Sequence, residues 1–127
     1  MPSFILRLLS PRLLRPLFWL LATFALTMAL LPKPPQLPID RFGDKFQHML
    51  AFAVLALVAR LAWRTSKIWA IALRLSLFGA AIEVAQAIPM LHRDSDWRDW
   101  LADSIAVALA LLIAQFLLRF LPSDETT

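Results

Sequence analysis

Apolar runs separated by short polar joints dominate the chain, and four of them approach the ~20 residues needed to cross a ~30 Å hydrocarbon core. They cover about residues 13–31, 46–63, 68–88 and 100–121. The first ends in "LPKPPQLPID", where Pro32, Pro34, Pro35 and Pro38 exclude continuous helix. Only "RTSK" separates the second from the third, which predicts a tight helical hairpin. The third stops around Pro89, and the fourth opens after a short polar loop, with Ser95 or Asp96 as its cap and Asp99 near the positive end of the helix dipole. The pattern predicts an all-α, polytopic four-transmembrane-helix bundle forming a single domain over residues 1–127. Ahead of the first run, "SFILRLLSPRLLRP" mixes leucine, arginine and helix-disfavouring proline, and reads as a positive flank or short interfacial segment. The first run is long and no A-x-A-like site follows it, so it is expected to be a span and not a cleaved signal.

Polar positions inside the runs follow helical spacing. Asp44, His48 and Phe52 repeat every four residues, with Lys45 one turn before His48. Gly79, Glu83 and Gln86 share a side of the third run. In the fourth, Asp96, Asp99, Asp103, Ala106 and Ala110 form a stripe that turns from acidic to small. Such a stripe belongs against other helices, because acids facing lipid cost several kcal/mol and small residues permit close approach. Glu83 and Asp103 lie within ~10 Å of the same boundary at ~1.5 Å rise per residue. His48 starts from that side too, so three helices are expected to bring ionisable groups to one shallow layer.

Composition agrees with a membrane protein: 60% of residues are hydrophobic, mean hydropathy is +0.67, and there are two glycines and no cysteine. Disulfides and cysteine chemistry are thereby excluded. The net charge of +4 would suggest nucleic acid, but the basic residues are arranged by topology. Eight of the 13 lysines and arginines fall at the N-terminus, the "RTSK" hairpin and the end of the fourth run, against five on the opposite side. Both termini are therefore expected in the cytoplasm, in a plasma (inner) membrane, with no nucleic-acid partner. The tryptophans mostly lie near predicted interfaces as anchors. Gln115 is expected to bond to a neighbouring helix.

Three stretches carry a family resemblance. "DKFQHMLAF" is similar to the D-K-x-x-H-x-x-x-F element, "GAAIEVAQ" to G-x-x-x-E-x-x-Q, and "RDSDWRDWLADSIA" to R-x-x-[SD]-x-x-D-x-x-A-[ND]-x-x-G of the VanZ-like membrane proteins, in that order. The resemblance covers about residues 32–110 and marks Asp44, Lys45, His48, Gly79, Glu83, Gln86, Arg93, Asp99 and Asp103. Asp103 stands where the family often has Asn, and Ala106 where it usually has Gly. The resemblance implies a small polytopic membrane protein, with a founding member associated with low-level resistance to the glycopeptide teicoplanin, and it implies no established reaction.

Two readings of the polar layer compete. One is an inter-helix network in which Lys45 and Arg93 or Arg98 pair with Glu83, Asp99 and Asp103, while His48 and Gln86 fill gaps. The other is an outward-facing pocket for an envelope component, such as a lipid-linked precursor or its head group. In that pocket Lys45, Arg93 and Arg98 would hold anionic groups and Glu83, Asp99 and Asp103 cationic or hydroxyl groups. A pocket formed by Asp44, Lys45, His48, Glu83, Gln86, Arg93, Asp99 and Asp103 is the expectation taken forward, with membrane lipids, a lipid-linked envelope precursor or a glycopeptide as partners. In an enzyme, His48 with Glu83 or Asp99 would be the acid–base pair acting on an envelope lipid. As metal ligands His48, Glu83, Asp99 and Asp103 would suit Zn, Mn or Fe, but the chain has no H-x-x-x-H or H-E-x-x-H pair and no metal is expected; no cofactor is expected either.

Overall fold

The computed structural model describes residues 3–31, 43–91 and 96–120, without the side chains of Asp44, Lys45 and Leu91. Five α-helices follow one another: α1 (Ser3–Leu8), α2 (Pro11–Leu30), α3 (Asp44–Ala62), α4 (Ile68–Gln86) and α5 (Trp97–Leu117). Short 3-10 turns occupy Pro89–Leu91 and Leu118–Phe120. No strand occurs among the described residues.

The helix limits have local causes. Both prolines of "SPRLLRP" lie inside α2, in contrast to their reading as helix-disfavouring. Pro11 occupies the first helical position, where its missing N–H has no intrahelical partner to lose. Pro16 gives up one bond, which a 20-residue helix tolerates. Gly43 caps α3 at φ 90°, a conformation that a side chain would strain. Asp96 caps α5, its carboxylate accepting a 2.9 Å bond from the Arg98 N–H, and Asp99 lies in the first turn as expected.

Three helical segments are long and apolar enough to cross a membrane: Pro11–Leu30, Ile68–Gln86 and Trp97–Phe120. The apolar part of α3, Phe46–Ala62, is shorter. The whole of α3, Asp44–Ala62, has 19 residues, as many as α4. It packs most extensively against α5 and also touches α2 and α4, and from Leu55 to Ala62 none of its residues is exposed. A helix shielded by its neighbours can carry Arg60 near its end. The outer faces of α2, α4 and α5 instead expose Leu20, Phe24, Leu77, Leu109, Leu112 and Phe116, apolar surface of the kind lipid would cover.

Small residues form the seam between α3 and α5. Ala56, Ala59 and Ala62 of α3 are buried, as are Ala106, Ala110 and Ala114 of α5. Phe52, Leu55, Ile71, Leu75, Ile82, Val107 and Leu111 fill the remaining core. Ala106 and Ala110 thus face protein, as their spacing predicted. Two cross-contacts, His48 with Asp103 and Arg60 with Gln115, are each offset by 55 positions, so α3 and α5 run parallel in constant register. α4 runs antiparallel to both, and its C-terminal end lies beside the starts of α3 and α5.

Candidate functional site

The start of α3, the end of α4 and the start of α5 converge at one end of the bundle. Ser76, Gly79, Glu83 and Gln86 follow one another along α4 at intervals of three and four, which places them on one face. Glu83 is buried, and its Oε2 accepts a 3.0 Å bond from the Asp96 N–H. One carboxylate thereby ties the end of α4 to the cap of α5. Gln86, 2% exposed, donates from Nε2 to the Ala29 carbonyl at 3.0 Å and fixes the end of α2 to the same layer.

Asp103 lies on α5 two turns inside this cap and is 3% exposed. Its Oδ2 is 4.0 Å from His48 Nδ1. Among the described residues its Oδ1 has no hydrogen-bond partner. A buried carboxylate oxygen in this state is costly, since its lost hydration is not replaced. The acid at ion-pair range of His48 is therefore Asp103, whereas the sequence pointed to Glu83 or Asp99. The reason is register: the parallel packing of α3 and α5 sets position 48 opposite position 103. Asp99 is half-buried one turn nearer the helix start.

Beneath these groups, the Phe52 ring and Trp100 close over Gly79, where an added Cβ would lie 3.4 Å from Phe52 Cζ and 3.5 Å from Trp100 Cδ1. Trp100 donates from Nε1 to the Ser76 carbonyl at 3.0 Å, and the hydroxyls of Ser76 and Ser104 are 3.0 Å apart. This Ser76–Trp100–Ser104 cluster was not among the sequence candidates, although Ser76 continues the Gly79–Glu83–Gln86 stripe by one step. Arg98 is exposed and Arg93 lies outside the described residues. For Asp44 and Lys45 the helical positions are described but the side chains are not. Among the described residues, no three His, Asp or Glu side chains come together as a metal-binding set.

A second polar layer occupies the other end. Arg60 is buried and donates from Nε to Gln115 Oε1 at 3.0 Å and from Nη1 to the Ser66 carbonyl at 2.6 Å. Gln115 thus has the helix-to-helix bond expected of it. Arg15 donates to the Ala62 carbonyl at 3.0 Å, and Arg64 to the Leu61 and Leu9 carbonyls at 3.3 and 3.2 Å. These cations satisfy carbonyls at and beyond helix C-termini, where positive charge is favoured.

No family model, curated protein or solved structure matches this chain.

Proposed function

We propose that the chain is a VanZ-like integral membrane protein in which all four long helices cross the bilayer. Its acidic end faces outward and binds the polar head group of an envelope component, such as a lipid-linked precursor. Asp103 carries this reading: a carboxylate oxygen that is buried with no donor among the described residues, beside a histidine, fits a site completed by a donor group of a ligand better than a finished packing contact. Glu83, Asp99, His48 and Gln86 would orient the head group around it, with Asp44, Lys45, Arg93 and Arg98 at the mouth. The distribution of lysine and arginine supports cytoplasmic termini. An alkaline phosphatase fused after Thr127 is expected to be inactive, and an active fusion would reverse the orientation.

The binding test replaces Glu83→Gln, Asp99→Asn, Asp103→Asn and His48→Ala, singly and together, and identifies co-purified lipid by mass spectrometry. If the four act as a unit, each single variant loses nearly as much bound lipid as the combination. Retention of the same lipid by every variant would end the pocket reading. The separation of His48 and Asp103 also supports a second reading, a hydrolase or group transferase in which this pair moves a proton during reaction on an envelope lipid. Conversion of added envelope lipids to a product by the wild-type protein, but not by His48→Ala, would select it.

A further inference from the structure

The end of the bundle opposite the candidate site has a use of its own. Of its cations, Arg15, Arg60 and Arg64 are spent on carbonyls and Gln115 inside the fold. Arg7, Arg12, Lys67 and Arg119 remain exposed at the same end, contributed by α1, α2, the α3–α4 connection and the turn after α5. Arg74, further along α4, is exposed as well. Every acidic residue among those described, Asp44, Glu83, Asp96, Asp99 and Asp103, belongs to the opposite half of the bundle.

The surroundings of these cations are those of a bilayer interface. α1 exposes Phe4, Ile5 and Leu8 next to Arg7, and its junction with α2 is pinned to the α3–α4 connection by the bond from Arg64 Nη2 to the Leu9 carbonyl. Lys67 Nζ lies 5.9 Å from the ring centre of Trp69, which is 61% exposed. Phe18, Trp19 and Trp63 make an edge-to-face cluster, with the Arg15 guanidinium 5.6 Å from the Trp63 ring centre. Amphipathic rings at this level mark where apolar chains give way to head groups.

We infer that this end is a binding surface for anionic phospholipid head groups, with Arg7, Arg12, Lys67 and Arg119 engaging the phosphates and the carbonyl-bound arginines holding the frame on which they are displayed. Charge complementarity selects the occupant: the surface carries cations from four elements and no described acid, and each cation near an anionic leaflet favours association by about fivefold. The surface differs in place and in sign from the acidic site, and its occupancy is independent of any ligand there.

Tryptophan fluorescence tests this directly. The full chain is reconstituted into phosphatidylcholine vesicles carrying a fixed small fraction of brominated lipid, with either a phosphatidylglycerol or a phosphatidylcholine head group. Brominated phosphatidylglycerol is expected to quench more strongly, corresponding to at least about fivefold preferential association. The excess should disappear in R7Q/R12Q/K67Q/R119Q, whose side chains are exposed and whose helix content should be unchanged. In the wild-type protein it should also fall as sodium chloride is raised, an observation that needs no variant to fold. Trp69→Phe should remove much of it, because that ring reports this end. Equal quenching by the two lipids, an excess insensitive to salt, or an excess that persists in the quadruple variant would each overturn the assignment.

Discussion

The two ends of the bundle are both polar and both built from charged side chains, yet they are finished to different degrees. At the basic end, Arg15, Arg60 and Arg64 donate to carbonyls and to Gln115, leaving the frame closed. At the acidic end, Gln86 and the Glu83–Asp96 bond also join helices, but Asp103 retains a buried oxygen with no donor among the described residues and sits 4.0 Å from His48. The comparison separates charge used to hold helices from charge held at a cost. Cations at helix C-termini gain stability from the backbone itself, whereas a buried acid must be satisfied by something brought to it. The second pattern is the one that indicates a site.

Substitutions at the two ends should therefore move stability in opposite directions. The largest effect is expected from Arg60→Ala, which removes a buried side chain and strands Gln115 Oε1 and the Ser66 carbonyl. Thermal unfolding in detergent should show a loss of about 3 kcal/mol. A loss below about 0.5 kcal/mol would mean that solvent or lipid already serves these acceptors. Ala106→Leu tests the seam that connects the ends: its added isopropyl group cannot fit at a position 7% exposed without displacing α3 or α4, and about 2 kcal/mol should be lost in the same assay. Unchanged stability would place this stripe toward lipid.

Asp103→Asn sharpens the contrast with Arg60 most directly. Removing the charge while keeping the shape should stabilise the fold by about 1 kcal/mol, and bound lipid should be lost together with that gain. A destabilised Asp103→Asn protein would show that the carboxylate is a structural partner, as the arginines are. Gly79→Ala is the smallest change. The added methyl meets Phe52 and Trp100 at ordinary contact distances, and the gain in helix propensity offsets any crowding, so melting should shift by less than about 0.5 kcal/mol. A larger loss would show that Phe52 and Trp100 have no room to yield beneath the site.

Much of this arrangement was legible in the residue pattern. Apolar run length located the helices to within a few residues, the i, i+4 stripes identified Asp103, Ala106 and Ala110 as inward-facing, and the cap of the last run was narrowed to Ser95 or Asp96, of which the fold uses Asp96. The shared depth of His48, Glu83 and Asp103 followed from rise per residue alone.

Other features depended on which helices became neighbours. Periodicity gives the face of a helix but not its partner or its register. Only the parallel packing of α3 on α5 sets Asp103, and not Glu83 or Asp99, at ion-pair range of His48. The division of the arginines into those bound to carbonyls and those left exposed was likewise invisible in a count of positive charges. It depends on which helix C-termini come within reach of each guanidinium, and that distance is set by the folded bundle.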